Sequence, residues 1–216
     1  MEYSTLPEPK KSWGQNYLQN KGVIEKIINS LDLESGDVVV EIGAGRGALT
    51  REIAEFKNIE IMAIEPHPES FQYLKEYFAD NNQVKLLQKD ASKLDFSEFG
   101  DNYKVVGNLP YNMSTKILLQ LLKTGNGAQI WILMFQLEVG ERIASKPGSK
   151  KYGSISIMAQ LITDINILFR VNPGSFYPVP KVKSAVLKFI PHLERKLAFP
   201  HEYEIILKKI FSQRRK

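Results

Sequence analysis

The sequence has 216 residues, of which 43% are hydrophobic and 25% charged, a composition typical of one folded domain with at most a small appendage. It contains no cysteine and three histidines, which excludes disulfide frameworks, thiolate zinc sites and cysteine nucleophiles and disfavours a histidine-built metal centre. No apolar run is long enough to span a membrane, and the N-terminus lacks the apolar core of a secretory signal, so we expect a soluble, cytoplasmic protein.

The charge is distributed unevenly along the chain. Residues 1–139 carry 14 Lys+Arg against 19 Asp+Glu, whereas residues 140–216 carry 15 against 5, a net of +10. A basic half of this kind indicates a polyanionic partner such as a nucleic acid. A solvated lysine surface explains the charge alone equally well.

Apolar periodicity predicts a doubly covered α/β sheet. Strands are predicted at 37–42, 59–65, 84–88, 103–107, 128–135, 165–171 and 182–190, and helices within 18–33 and at 49–56, 68–79, 115–123, 155–162 and 201–211. Strands that alternate with helices predict a parallel sheet with helices on both faces. The last two strands have no helix between them, which predicts an antiparallel hairpin at one edge of this seven-stranded sheet.

The first predicted strand leads directly into the turn Gly43-Ala44-Gly45-Arg46-Gly47. Glycines at alternate positions let the backbone turn tightly and let a ligand lie against bare amides. The spacing G-x-G-x-G differs from the G-x-G-x-x-G of dinucleotide binders, which disfavours a nicotinamide oxidoreductase. Glu41, just before the turn, would repel a phosphate and favour a cation. The pattern therefore favours a sulfonium cofactor of the S-adenosylmethionine type.

Acidic residues follow the next two strands. Glu65 can accept hydrogen bonds from two ribose hydroxyls, and Asp90, followed by Ala91, can accept one from an adenine amino group. Each acid alone is better explained as a solvated strand end. Their succession after a glycine turn favours a nucleoside cofactor at the carboxyl edge of the sheet.

The fourth strand leads into Asn108-Leu109-Pro110-Tyr111. A proline turn with Asn112 or Ser114 capping the next helix is the structural reading. The functional reading is compatible with it: the Asn108 side-chain oxygen and a main-chain carbonyl of Leu109 or Pro110 accept the two hydrogens of a purine amine. Tyr111 then offers a stacking face. This arrangement predicts methyl transfer to a base amine, catalysed by orientation and fixed dipoles without a strong general base.

Several motifs together carry a family resemblance. They are Gly14-Gln15-Asn16-Tyr17-Leu18, the glycine turn, Asn108-Leu109-Pro110-Tyr111, Phe176-Tyr177-Pro178-Val179-Pro180-Lys181-Val182 and the terminal Ser212-Gln213-Arg214-Arg215-Lys216. With them, the sequence resembles the ribosomal RNA adenine N6-dimethyltransferases, most closely the bacterial small-subunit group associated with kasugamycin susceptibility. The resemblance covers nearly the whole chain.

The resemblance implies a Rossmann-like methyltransferase fold that uses S-adenosyl-L-methionine. The implied cofactor contacts are Asn16, Leu18, Gly43, Ala44, Gly45, Glu65, Asp90, Ala91 and Asn108. The implied catalytic residues are Asn108, Leu109, Pro110, Tyr111 and Phe176. Phe176 would stack on the flipped target base opposite Tyr111. A core aromatic is the alternative for Phe176, but the surrounding glycine and prolines predict a loop.

The family dimethylates two adjacent adenosines in the 3′-terminal hairpin of small-subunit rRNA, within a partly assembled 30S subunit, and we expect a monomer. The predicted RNA contacts are Arg142, Lys146, Lys150, Lys151, Lys181, Lys183, Arg214 and Arg215. Lys183 occupies a position that is commonly acidic in relatives. The competing functions are a large-subunit rRNA methyltransferase of the macrolide-resistance type and a non-catalytic nucleic-acid-binding relative.

The domain prediction has three parts. Residues 1–12 are expected to form a flexible arm, residues 13–200 the catalytic domain, and residues 201–216 a terminal helix at the start of a C-terminal helical domain that the chain mostly lacks.

Overall fold

The apolar runs predicted as strands form the central sheet of the protein. The computed structural model describes residues 6–10, 13–192 and 209. Its strands are β1 (Tyr17–Leu18), β2 (Val38–Ile42), β3 (Glu60–Ile64), β4 (Val84–Leu87), β5 (Tyr103–Asn108), β6 (Ala128–Gln136), β7 (Thr163–Val171), β8 (Phe176–Tyr177) and β9 (Ser184–Pro191). Its α-helices are α1 (Lys21–Asn29), α2 (Ala48–Ala54), α3 (Pro68–Tyr77), α4 (Ser114–Thr124), α5 (Leu137–Ile143) and α6 (Ser154–Ile162).

The seven-stranded sheet has the order β4-β3-β2-β5-β6-β9-β7. The first five of these strands run parallel, and β9 lies antiparallel between β6 and β7. The predicted sheet with an antiparallel hairpin at its edge is therefore confirmed. β1 and β8 form a separate two-stranded antiparallel pair.

The sheet separates two apolar cores, because neighbouring residues of a strand point to opposite faces. On β2, Val40 and Ile42 pack into one core, which also holds Trp131 and Phe135 of β6. Val39 packs into the other core, with α1, α2 and α3. None of the described helices is long and apolar enough to cross a membrane.

Register places the functional motifs side by side. Ile42, the last residue of β2, pairs with Ile64 of β3 and with Gly107 of β5. The chain leaves these three strands at one level, so the glycine turn, Glu65 and Asn108 all lie at the same edge. This is the carboxyl edge, where open α/β sheets bind their ligands.

Helix α5 and the short strands β1 and β8 are elements that the sequence prediction did not contain. The first helix lies within the predicted range 18–33 and begins at Lys21, because Tyr17 and Leu18 are extended in β1 and the Asn20 side chain caps the helix by accepting from the Val23 amide, 3.0 Å away. Helix α5 was not predicted. Its Gly140 lowers helix propensity, but a Cβ there would lie 2.9 Å from Leu187 Cδ1 and 3.3 Å from Ala185 Cβ, so glycine lets the helix pack closely on β9.

The two chain ends are described only in part. Of the predicted arm, residues 6–10 are described, and there the buried Pro7 carbonyl accepts two hydrogen bonds from the Arg46 guanidinium, at 3.0 and 2.7 Å. The helix predicted at 201–211, together with Arg214 and Arg215, lies outside the described residues apart from Lys209, which is helical.

Candidate active site

Two adjoining cavities open at the carboxyl edge of the parallel strands, and we call them together the strand-end cleft. The first is lined by Trp13, Gly14, Gln15, Asn16, Tyr17, Gly43, Gly45, Glu65, Pro66, Asn108, Leu109, Pro110 and Tyr111. The second is lined by Trp13, Ile42, Gly43, Pro66, Asp90, Ala91, Pro110, Asn112, Met113 and Ile117. Because they share Trp13, Gly43, Pro66 and Pro110, they are parts of one cleft.

The glycine turn leaves room in the cleft at Gly43. Its backbone has a φ of +74°, and its amide and that of Ala44 both donate to the Ile64 carbonyl, at 2.8 and 3.1 Å. A Cβ at Gly43 would stand 3.7 Å from the Asn108 carbonyl oxygen and 3.9 Å from Pro110 Cδ. It would therefore fill the space between the turn and the tetrapeptide, so glycine keeps a cradle open between them.

Glu65 ties the turn to the end of β3. Its side chain is buried, Oε2 accepts from the Gly45 amide at 2.7 Å, and Oε1 accepts from the His67 amide at 2.9 Å. Burial raises the pKa of Glu65 from its ordinary value, while the His67 and Gly45 amides lower it in part. The carboxyl group is thus held rigidly at the wall of the cleft.

A second buried carboxyl group, that of Glu41, lies behind the turn. It borders a small cavity that is also lined by Leu18, Ala44 and Asn108, and it accepts a hydrogen bond from Thr50 Oγ1 at 2.5 Å. Burial, with a smaller contribution from the nearby Glu65 carboxyl, raises the pKa of Glu41 to about 7 against the lowering effects of Thr50 and Arg51. Two buried acids in one site favour a cationic ligand.

The second cavity is a mostly apolar slot with one acidic residue. Pro66, Met113 and Ile117 line it together with Asp90 and Ala91. Asp90 Oδ1 already accepts from the Ser92 amide and hydroxyl, at 2.9 and 2.8 Å, which fixes the direction of the carboxylate. Apolar walls with a fixed polar group suit a flat heterocycle.

The Asn108 amide is oriented by the chain near its N-terminus. Its Nδ2 donates to the Asn16 main-chain oxygen at 2.9 Å, and Oδ1 receives no hydrogen bond within the described part of the chain. The Pro110 carbonyl accepts from the Met113 amide at 3.0 Å, whereas the Leu109 carbonyl accepts none from the described residues. Of the two carbonyl groups that the sequence left open, that of Leu109 is therefore the available acceptor.

Tyr111 lines the first cavity with its ring half-buried. Its hydroxyl lies 2.8 Å from Ser184 Oγ, and its main-chain oxygen accepts from Ser114 Oγ at 3.1 Å. Burial raises the pKa of Tyr111 from its ordinary value, although the bond to Ser184 opposes this, so the phenol is protonated at neutral pH.

The loop predicted around Phe176 is wrong. Phe176 belongs to β8, pairs with Leu18, is 2% exposed and packs in the core that holds α1. It lines neither cavity of the cleft, because strand alternation turns its ring inward and turns Tyr177 out to 44% exposure. As placed, Phe176 does not form a second plate facing Tyr111.

Some of the predicted RNA-binding side chains are already in ion pairs with acidic residues, and others are not. Arg142 pairs with Glu138 at 2.8 Å, and Lys151 pairs with Glu141. The exposed ammonium groups of Lys146, Lys150, Lys181 and Lys183 make no ion pair with any described residue.

The structure adds residues to the site that the sequence reasoning did not single out. Trp13 lines both cavities, 40% exposed, and its ring meets the His67 ring edge-on. The sequence signal for Trp13 was its position directly before the Gly14 motif. Pro66 and Met113 flank motif residues, so proximity in sequence would have found them. Ser184 follows the Phe176–Val182 motif in the family resemblance, but its contact with Tyr111, 73 positions away, had no signal in the sequence.

Comparison with known proteins gives a consistent result. The family model described as ribosomal RNA adenine dimethylase matches residues 8–216. A ribosomal RNA small subunit methyltransferase A from Pseudomonas putida is 37% identical over 214 residues, covering 96% of this chain and 79% of that protein. The crystal structure of a dimethyladenosine transferase from Plasmodium falciparum matches with a TM-score of 0.81 and 29% identity, covering 92% and 72% of the two chains. The 23S rRNA methyltransferase ErmE shares the fold, with a TM-score of 0.74 and 21% identity over 91% of this chain and 79% of that one.

The burial of Phe176 predicts that its main contribution is to stability. Phe176→Ala is expected to lower the free energy of unfolding by about 3–5 kcal/mol, because it leaves a cavity in the core. Its neighbour Tyr177 is the matched control, and Tyr177→Ala is expected to cost less than about 1 kcal/mol. Denaturant unfolding measures both. Equal stability of the two variants would contradict the packing role.

The burial of Glu41 predicts a pH-dependent stability. Between pH 4.5 and 7 the folded state retains the Glu41 proton while the unfolded chain releases it, so stability falls as the pH rises through this window. Glu41→Gln removes this penalty, so the variant is expected to gain up to roughly 3 kcal/mol relative to the parent chain between pH 5 and pH 8. Urea unfolding at several pH values measures the difference.

Glu69→Gln is the control for this effect. The hydrogen bond from Lys10 lowers the pKa of Glu69, so its titration lies below the window and the difference from the parent chain should stay constant from pH 5 to pH 8. If Glu41→Gln also differed from the parent by a constant amount, Glu41 would titrate normally and the argument from burial would be wrong.

Proposed function

Since the chain belongs to the ribosomal RNA adenine dimethylase family, we propose that it is an S-adenosylmethionine-dependent enzyme that methylates adenine N6 in small-subunit rRNA. The family model matches nearly all of the chain, and the relative from Pseudomonas putida is named for the small subunit. Two adjacent adenosines in the 3′-terminal hairpin are the target, within an incompletely assembled 30S subunit. The enzyme acts as a monomer, and residues 13–200 form its catalytic domain.

One observation carries this proposal. Two residues that line the cleft beside the glycine turn each have an oxygen that accepts no hydrogen bond from the described residues. Asn108 Oδ1 and the Leu109 carbonyl stand at the cleft, while Gly43 leaves the neighbouring space empty of side chain. An amine with two hydrogens can satisfy both acceptors at once. A nicotinamide dinucleotide would instead require amide donors for its phosphates.

The residues of the cleft suit S-adenosylmethionine. Gly43, Gly45 and Asn16 border the space for its methionine end, and the buried acids Glu41 and Glu65 favour its positive charge. Glu65 also has lone pairs that can accept from ribose hydroxyls. Asp90 and Ala91 line the apolar slot where an adenine would lie. Leu18 and Ala44 complete the wall behind the turn.

S-adenosylmethionine supplies an electrophilic methyl group on a sulfonium sulfur. The lone pair of the adenine amine nitrogen is delocalised into the ring, which makes this amine a poor nucleophile. The protein therefore has to increase its nucleophilicity. Asn108 Oδ1 and the Leu109 carbonyl accept its two hydrogens and so favour the pyramidal nitrogen. Tyr111 holds the plane of the base. The bound cofactor would supply the methyl group to this nitrogen, its sulfur leaving as a neutral thioether, and the amine proton would pass to water.

Both acceptors are preorganised, which is what this chemistry requires. The Asn16 main-chain oxygen binds Asn108 Nδ2 and so fixes the orientation of the amide, whose Oδ1 receives no hydrogen bond from the described residues. Pro110 restricts the backbone of Leu109 and therefore the direction of its carbonyl. Orientation of this kind lowers the barrier without a general base of matched pKa.

The basic residues supply the long-range attraction for RNA. Lys146, Lys150, Lys181 and Lys183 are exposed and free of ion pairs within the described residues, so they are available to phosphates. Arg142 and Lys151 are already paired with acids of the same surface and contribute less. Arg214 and Arg215 lie outside the described residues, and the proposal includes them by their charge alone.

Labelled-methyl transfer tests the function. The chain is incubated with labelled S-adenosylmethionine and either undermethylated small subunits or large subunits, and the modified bases are mapped. Label is expected at two adjacent adenosines near the 3′ end of small-subunit rRNA. Label in large subunits alone would favour the macrolide-resistance type, and cofactor binding without transfer to either would favour a non-catalytic relative.

Asn108→Ala tests the acceptor role. The rate of transfer is expected to fall about a thousandfold, because one preorganised acceptor is lost, while cofactor affinity falls less than about tenfold. Transfer kinetics and calorimetric titration with S-adenosylmethionine measure the two effects. Asn166→Ala, at an exposed position of β7, is the control and should retain both. Near-normal turnover of Asn108→Ala would exclude the role.

A further inference from the structure

We infer that Ser184 is a positioning residue for the target base, acting through the Tyr111 ring. Ser184 Oγ and the Tyr111 hydroxyl are 2.8 Å apart. Ser184 has no exposed surface and does not itself reach the cleft, so it acts only through its partner. The inference rests on the proposed function and adds a residue to it.

The sheet fixes the position of the Ser184 hydroxyl. Ser184 is the first residue of β9 and pairs with Gln136 on one side and Val171 on the other, so three strands meet there. The preceding carbonyl, that of Lys183, accepts from the Leu137 amide at 2.9 Å, which joins this point to the start of α5. The oxygen is thus part of the rigid scaffold, although the exposed segment before it is a loop.

Tyr111, in contrast, lies on a connection between β5 and α4. The bond from Ser114 Oγ reaches only the Tyr111 main-chain oxygen and does not restrain the ring. Among the described residues, Ser184 provides the one hydrogen bond to the phenol. That bond connects the far end of the ring to the sheet and fixes the plane that a stacked base must match.

A tilt of the Tyr111 ring would affect the rate of methyl transfer more than the stability of the folded protein. Methyl transfer requires the amine and the two acceptors in one narrow geometry, and misplacement by about 1 Å can cost on the order of a hundredfold in rate. A ring that has lost one hydrogen bond still excludes water and still packs. We therefore expect an effect on turnover with little effect on cofactor binding.

A double-mutant cycle tests the inference. Ser184→Ala and Tyr111→Phe each remove the same hydrogen bond, from opposite ends, and the second keeps the ring without touching β9. Each is expected to lower the rate of transfer to small subunits about tenfold, and the double variant is also expected to lose about tenfold. A loss near a hundredfold in the double variant would show independent effects and would overturn the inference. So would an unchanged rate in either single variant.

A spectroscopic measurement separates this inference from the proposed function. The protein is labelled with 3-fluorotyrosine, and the Tyr111 resonance is assigned as the one missing from Tyr111→Phe. In Ser184→Ala this resonance is expected to shift and broaden, whereas the resonances of the other tyrosines stay in place. S-adenosylmethionine affinity should match that of the parent chain. An unchanged Tyr111 resonance would overturn the inference even in an active enzyme.

The two failures are distinguishable. A parent chain that binds the cofactor but methylates no subunit would contradict the proposed function, and the fluorine spectrum would still decide whether Ser184 orders the ring. A Tyr111 resonance that moves while all transfer rates stay normal would leave the function intact and exclude the positioning role.

Discussion

The whole site depends on the register of three parallel strands. Ile42, Ile64 and Gly107 are paired across β2, β3 and β5, so the residues that follow them leave the sheet together. Gly107 is part of this constraint, because a Cβ there would lie 2.8 Å from the Ile42 carbonyl oxygen. A slip by one residue would turn every following side chain to the other face. Ladder hydrogen bonds and two apolar cores thus set the distance between the cofactor site and the amine acceptors.

The tetrapeptide that carries the chemistry is not locally self-sufficient. Asn108 is oriented by a main-chain oxygen 92 positions earlier, and Tyr111 is tied to a hydroxyl 73 positions later. Within the motif, Pro110 restricts the backbone of Leu109. Preorganised dipoles lower a barrier because they need no reorganisation during the reaction, and that rigidity has to come from the fold. The short motif identifies the chemistry, while distant parts of the chain make it effective.

Sequence patterns predicted the elements and most of the site for a physical reason. Strand ends in a parallel sheet share an edge, so Gly43, Glu65, Asp90 and Asn108 could be brought together without knowledge of any side-chain contact. Tertiary contacts decided the rest. Gly140 disfavours a helix in the sequence, and only its close packing on β9 explains it. Ser184 has the pattern of an ordinary strand residue, and only its contact with Tyr111 gives it a role in the site. The orientation of Phe176 depended on a two-residue strand pair with Leu18, for which no periodicity can be read.

The uneven charge of the chain corresponds to two ligands of opposite sign. Burial raises the pKa of both acidic residues that matter for the cofactor, Glu41 and Glu65, so they release their protons most readily when a cation lies beside them, and their charge then acts over the few ångströms of the cleft. In the basic half, Lys146, Lys150, Lys181 and Lys183 are exposed, so salt limits each to a range of about 8 Å, and only their sum attracts a polyanion. Because the acids are buried and the lysines are exposed, the negative charge of the cleft and the positive charge of the surface act in different places and do not cancel. A cation can be favoured inside the same cleft to which a phosphate backbone is drawn from outside.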